Sequence, residues 1–324
     1  MDHWNQYWNS PGVLNSFAEG ESNEGYRGTV HKTWQSLLSD LNKGSRILDL
    51  GCGNGGLALL ATEVSDAENK SFKIEAADAA SIDPVQQFQQ QPAIAKKLEK
   101  ITFHSDMPAE QLKFEDGSLD AVVSQFGFEY SDSKKSITEI NRVLKKGGVF
   151  GAVCHNSNSA ITEECRAGAE FIDHLLNHTP VFPLTEVILT LAEQAIPQLG
   201  DKGFQEYKIY RVQRNSVMWI IQTLRKQFNS AGHKVWLDEV EGRIQTVFNN
   251  LDSKHLTDIR RFLGFHYEQL NGQQKRIQEQ ANVALSEKDI EQLTSEFKTH
   301  GLNLNATEIA LEEGVTGWLL TATK

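Results

Sequence analysis

A chain of 324 residues with 39% apolar and 23% charged side chains has room for one large domain or two modest ones, and is too apolar for a disordered chain. Its 32 basic and 43 acidic residues give a net charge of −11, spread as −6 over residues 1–159, −3 over 160–300 and −2 over 301–324. No segment is basic, so nucleic acid is not an expected partner.

The elements follow in chain order. The first 45 residues are rich in aromatic side chains, among them Trp4, Trp8, Phe17, Tyr26 and Trp34. From Thr29 to Leu41, Val30, Trp34, Leu37, Leu38 and Leu41 recur at helical spacing. SRILDLG reads as a strand ending at Gly51, and GLALLATEV as the helix after it. Residues 72–78, FKIEAAD, form a second strand that ends in an acid. A polar helical stretch runs from Pro84 to Lys100, and ITFHSD is a short third strand. LDAVVSQFG, from Leu119, is a strongly apolar fourth strand. KSITEINRVL is an amphipathic helix that stops at Lys145-Lys146-Gly147-Gly148, and VFGAVCH is the fifth strand. Strands alternating with helices in this way predict a doubly wound, parallel α/β sheet.

From about Ser159 to His300 the strand-like alternation stops. NSVMWIIQTLRKQF, KVWLDEVEGRIQTVFNNL, DIRRFLGFHYEQL and SEKDIEQLTSEFK read as amphipathic helices, the last with Ser286 as its N-cap. Apolar stripes in this region, including Trp219, Ile220, Leu224 and Phe228, read as core. Basic residues are not concentrated across the insert, so a membrane-lying face is not expected. Residues 307–312 and 316–323 read as a terminal hairpin around Glu313-Gly314. The expected organisation is therefore an aromatic N-terminal lid (1–45), an α/β core (46–158), an α-helical insertion or cap (159–300) and C-terminal strands that complete the core (301–324). The fold class is α/β: a mostly parallel seven-stranded sheet with a terminal antiparallel hairpin and a large helical insertion. With no run of ~18 apolar residues, no transmembrane segment is expected. Three cysteines, Cys52, Cys154 and Cys165, lack CxxC spacing, and no leader pattern stands at the first residues. These features predict a reduced, cytoplasmic protein without a disulfide framework or a metal site.

The informative segment is Ile47-Leu48-Asp49-Leu50-Gly51-Cys52-Gly53-Asn54-Gly55-Gly56. A glycine-rich turn between a strand and a helix lets a ligand approach the backbone. Dinucleotide-binding turns are related, but Asp49 before the first glycine suits a cationic ligand better than a pyrophosphate. Asp49 also reads as a loop organiser that accepts backbone N–H bonds. Asp78, at the end of the second strand, is placed to accept both ribose hydroxyls of a nucleoside.

With these residues the segment resembles the glycine-rich motif of class I S-adenosylmethionine-dependent methyltransferases, of the methyltransferase-11 type. The resemblance continues through Asp78, Ser105-Asp106-Met107, LDAVVSQFGFEY, EINRVLKKGG and GWLLTATK. It covers residues 45–157 and returns at 300–324. It departs at Lys146, where the family has proline, and in a longer spacing from Asp106 to Leu112. It implies S-adenosyl-L-methionine as cofactor. Gly51 and Gly53, with Cys52 between them, would pass its aminoacid part. Asp78 would hold the ribose, with Ala79 beside it. Asp106 and Met107 would lie by the adenine, and Gln125 would reach the methionine end. Phe126 reads as packing. In the aromatic lid, Tyr26 and Arg27 are the cofactor-side candidates, since a guanidinium suits a carboxylate.

Methyl transfer from a sulfonium needs a base only when the acceptor carries a proton at neutral pH. The candidates follow strands four and five: Glu129, Tyr130 and His155. His155 as a loop cap and Glu129 as a helix-cap carboxylate are the plainer readings. A helical insertion after strand five predicts a small-molecule acceptor enclosed by the cap. The rivals are a macromolecule (protein or RNA) methyltransferase and a non-catalytic cofactor-binding interaction protein. The sequence leaves the acceptor atom and the oligomeric state open.

Overall fold

The computed structural model describes residues 1–10, 12–15, 26–312 and 314–324. Phe17 of the expected lid and Glu313 of the hairpin tip lie outside these residues. The chain divides into two compact units: Met1–Thr162 with Glu279–Lys324, and Glu163–Gln278.

The first unit begins with α1 (Asp2–Trp8) and α2 (Gly28–Ser39). β1 (Arg46–Leu50), α3 (Gly56–Ala67) and β2 (Lys73–Ala77) follow, then the short α4 (Pro84–Gln87), α5 (Pro92–Leu98) and β3 (Thr102–His104). β4 (Leu119–Gln125) leads through a single 3-10 turn (Phe128–Tyr130) into α6 (Ser133–Val143) and β5 (Leu144–His155). The second unit takes most of α7 (Ala160–His178), then α8 (Val181–Glu206), α9 (Lys208–Gln227), α10 (Ala231–Asn249) and most of α11 (Leu256–Val283). α12 (Glu287–Thr299), β6 (Asn305–Glu312) and β7 (Val315–Thr323) return to the first unit.

The seven strands form one sheet in the order β3-β2-β1-β4-β5-β7-β6. β7 pairs antiparallel with β5 and β6, and the other neighbours are parallel. Because helices cover both faces, the central strands are apolar on both sides, and all of β4 except Asp120 is buried. One face packs Trp34 and Leu38 of α2 and the apolar side of α3 against Ile47, Ala121 and Val123. The other packs Ile137 and Ile140 of α6 and Leu293 and Phe297 of α12 against Leu48, Val122 and Phe150.

The helices start where their caps allow. Asp132 caps α6 by accepting from Lys135 N. Ser286 accepts from Asp289 N in a reciprocal capping box that opens α12. α6 stops at Val143, four residues before the double glycine. Leu144–Gly148 already belongs to β5, because Gly147 and Gly148 exchange backbone hydrogen bonds with Lys324. The sequence bounded the helical region at 159 and 300. By contact the second unit runs from 163 to 278, because α12 uses its apolar stripe on α6 and the sheet.

The second unit is helical throughout, and α8 kinks at Gly200, where φ is 69°. Leu224 and Phe228 are buried as their periodicity suggests, but Trp219 is 67% exposed. This corrects its assignment to the core. On α9 the buried stripe runs through Tyr210, Val217, Ile221 and Leu224, and Trp219 falls on another side of the helix. No described helix is long and apolar enough to cross a membrane.

Candidate functional site

Strand order reverses at β1, which lies between β2 and β4, and open α/β sheets bind ligands outside the C-terminal ends of the strands at such a point. A cleft of about 460 Å³ opens there in the first unit. Its lining includes Gly51, Cys52, Asp78, Ala79, Met107 and Gln125, and the aromatic rings of Trp4, Trp8, Tyr26, Phe126 and Tyr130.

The glycine loop carries left-handed backbone at Gly51, with φ 69°, and at Gly53, with φ 52°. A Cβ on Gly53 would meet the Trp8 ring at 2.4 Å. Asn54 Nδ2 donates to the carbonyls of Trp8 and Val13, at 2.8 and 2.6 Å. The loop therefore holds the N-terminal segment against itself. Around Trp4, the Trp8 ring stacks at 6.3 Å and the Tyr130 ring stands edge-on at 5.4 Å.

Two buried carboxylates organise the loop. Asp78 Oδ2 accepts from Gly53 N at 2.7 Å and Oδ1 from Ala80 N at 2.8 Å. Burial pushes its pKa up and these two bonds pull it down, with a net rise. Each oxygen keeps a lone pair for a ligand on the cleft side. Asp49 is more deeply placed and does not line the cleft. Its Oδ2 accepts from Ala58 N at 2.9 Å, while Oδ1 has no partner among the described residues. Burial pushes its pKa up to about 7, opposed by the Ala58 bond and reinforced by the charge of Asp78. The same burial raises the Cys52 thiol well above its ordinary range.

Gln125 is buried at the end of β4, and Trp34 Nε1 donates to its Oε1 at 2.5 Å. That bond orients the amide and leaves Nε2 with no partner among the described residues. Phe126, with φ 55°, turns the chain after β4. Its ring stacks on His155 at 4.1 Å. His155 Nδ1 lies 2.7 Å from Glu129 Oε1, which also accepts from His155 N at 2.8 Å. The side chains of His155 and Glu129 are 6% and 0% exposed. Neither lines the cleft, whereas Tyr130, edge-on to His155, does.

Of the residues singled out in the sequence, the cleft thus gathers Tyr26, Gly51, Cys52, Asp78, Ala79, Met107, Gln125 and Tyr130. Gly53 stands behind its lining and supports Asp78. Asp106 and Arg27 are exposed and outside the lining. Asp106 bonds its neighbour Ser105, and Met107 N instead ties the turn to Asp78 O at 2.8 Å. Sequence reasoning missed Glu110, Asn15, Glu279 and Val283, which also line the cleft. Glu279 and Val283 lie at the C-terminal end of α11, and only folding returns them to the sheet. Among the described residues no cluster of His, Cys, Asp and Glu could hold a metal ion.

A family model described as a methyltransferase domain matches residues 48–152, the span from β1 to β5. These residues, about a third of the chain, are similar to a methyltransferase domain. Over 163 residues the chain is 27% identical to the sterol 24-C-methyltransferase of Aspergillus fumigatus, covering 47% of this chain and 40% of that protein. Over 109 residues it is 32% identical to a ubiquinone/menaquinone biosynthesis C-methyltransferase of Geobacter sp., covering 33% and 44%. The chain spans about half the length of the curated relatives it matches, or less. It is also similar to the solved 1,6-didemethyltoxoflavin-N1-methyltransferase of Burkholderia thailandensis, at a TM-score of 0.40 and 9% identity, over 91% of this chain and 78% of that one.

Proposed function

We propose that this chain is a methyltransferase that uses S-adenosylmethionine and acts on a small-molecule acceptor bound in the cleft of the first unit. One observation carries the reading: the glycine loop, the Asp78 carboxylate hung on its backbone and the Gln125 amide nitrogen, which has no partner among the described residues, meet in a single cleft. These residues fit the cofactor. Asp78 would accept the ribose hydroxyls with its spare lone pairs, and Gln125 Nε2 would donate to the aminoacid end. Gly51 leaves the backbone bare for close approach, and Met107 and Ala79 offer apolar surface to the adenine. Asp106 and Arg27, outside the lining, would contribute through the shape of their loops. When bound, the cofactor supplies an electrophilic methyl group on a sulfonium.

The chain's own residues do the rest. Holding the acceptor in line at near-attack distance accounts for much of the acceleration in such a displacement. Tyr130, in the lining, would hydrogen-bond a proton-bearing atom of the acceptor through its hydroxyl and orient it. Glu129 and His155 lie behind it and fix the Phe126 and Tyr130 rings, which makes them positioning residues.

Among the described residues the lining contains the carboxylates of Asp78, Glu110 and Glu279 and no Lys, Arg or His side chain. With Trp4, Trp8 and Tyr130 this suits a neutral or cationic acceptor with apolar surface and repels an anionic one. The acceptor named for the sterol enzyme agrees with a small acceptor here. Glu279 and Val283 are the residues through which the 159–300 segment would select it. Three free, buried cysteines accord with a reducing cytoplasm.

The test is conversion of S-adenosylmethionine to S-adenosylhomocysteine with three acceptor pools: a metabolite extract, total RNA and total protein. Turnover with the extract alone is the expected result. Turnover only with RNA or protein would replace the small acceptor with a macromolecule. Cofactor binding without turnover in any pool would leave a binding protein.

A further inference from the structure

α9 is not explained by the cleft or by the core. Its 20 residues, KIYRVQRNSVMWIIQTLRKQ, carry five basic side chains and no acidic one, within a chain of net charge −11. The second unit as a whole has 14 basic and 14 acidic residues, so this helix concentrates positive charge that the rest of the unit cancels. One stripe packs inward through Tyr210, Val217, Ile221 and Leu224. A second apolar strip faces solvent: Ile209 is 49%, Val212 53% and Trp219 67% exposed. Their spacings of three and seven residues put Val212 and Trp219 on one line, with Ile209 beside it. Lys208 and Lys226 fall on the edge of that strip, and Arg211 falls one step further round. Arg225 is held by Asp238 and Glu241 of α10, at 2.6 Å each, and the Arg214 guanidinium lies 5.8 Å from the Phe248 ring centroid. Among the described residues Lys208, Arg211 and Lys226 have no ion pair.

We infer that the exposed face of α9 docks on an anionic lipid bilayer surface, with Val212 and Trp219 inserted at the headgroup level and Lys208, Arg211 and Lys226 on lipid phosphates. An exposed apolar strip flanked by cations is the pattern of a helix that lies in the membrane plane, and Trp prefers that interface. Charge complementarity selects this occupant. A second copy offering the same face would set cations against cations, while anionic headgroups neutralise them.

The experiment is co-sedimentation of the full chain with vesicles of phosphatidylcholine alone and of phosphatidylcholine with ~30% phosphatidylserine, at low and high salt. Binding to the anionic vesicles only, lost as salt rises, is expected. The Lys208→Gln/Arg211→Gln double variant should bind ~10-fold or more weakly. Trp219→Ser should also lose binding, and because the residue is exposed its thermal melting should match wild type. Either variant binding as wild type does, or equal binding to both vesicle types, would overturn the inference. A concentration-dependent dimer in sedimentation velocity that Trp219→Ser dissolves would assign the strip to a second copy instead.

Discussion

Gly51 and Gly127 meet backbone to backbone: a Cβ on Gly51 would come within 2.8 Å of Gly127 Cα, and one on Gly127 within 2.9 Å of Gly51 Cα. The turns after β1 and β4 are thereby clasped at the floor of the cleft, and Ser124 Oγ reinforces the clasp by donating to Leu50 O at 2.7 Å. Gly51→Ala therefore carries two penalties, a left-handed φ of 69° and a contact with backbone that cannot swing away. Gly147, with φ 79° and nothing within 4 Å, carries only the first. Gly147→Ala should cost ~1–2 kcal/mol and Gly51→Ala a further ~1–3 kcal/mol in urea denaturation. Equal costs would show that the two turns are not in contact.

Asp78→Ala removes two acceptors from the loop backbone as well as the proposed ribose contact. Binding of S-adenosylhomocysteine, measured by calorimetry, should weaken ~10–100-fold, the equivalent of ~1.5–3 kcal/mol. Asp78→Asn keeps one oxygen and should fall between the variant and wild type. An unchanged dissociation constant in Asp78→Ala would remove the residue from the cofactor site.

Asp78 and Gln125 were legible in the sequence because each ends a strand, and the strand–turn–helix order fixes what lies at the C-terminal edge of a parallel sheet. His155 and Glu129 were legible as neighbours of the site but not as a buried pair behind Phe126. That depends on a positive φ at Phe126 that no propensity announces. Trp219 was misread because an apolar residue at helical spacing resembles core until the second stripe on the same helix is seen to be the buried one. Asp106, on its own left-handed turn, faces solvent although its neighbour Met107 is buried.

Asp49 sets a pH dependence of stability. Its folded pKa, about 7, stands above the ordinary carboxylate value of 3.8, so the folded state binds the extra proton between these two values. Stability from this group is fully present below pH ~4 and is lost as pH rises towards 7, by an amount on the order of 4 kcal/mol. Asp78, also raised, adds a slope of the same sign. Subtracting the unfolding free energy of Asp49→Asn from that of wild type isolates Asp49, and the difference should decline from pH 4 to 7 and flatten above. A difference that is flat throughout would place Asp49 in a more polar setting than its burial indicates.

The Glu129–His155 pair separates positioning from proton transfer. His155→Ala takes the imidazole partner from the fully buried Glu129 carboxylate and removes the ring under Phe126. Breaking one side of such a pair should cost ~3–5 kcal/mol of stability, and S-adenosylhomocysteine affinity should fall with it. Glu129→Gln keeps an oxygen that can accept both His155 bonds and should recover most of the stability and affinity. Tyr130→Phe retains the edge-on contacts with Trp4 and His155, so stability and cofactor affinity should stay near wild type. With an acceptor that must lose a proton, its single-turnover rate should nonetheless drop ~10²-fold. The opposite pattern, a stable His155→Ala variant with normal cofactor affinity and a rate lowered 10²-fold or more, would mean that the imidazole itself reaches the acceptor. In that case Phe126 must swing aside when the acceptor binds, and Tyr130 would be left as part of the cleft wall.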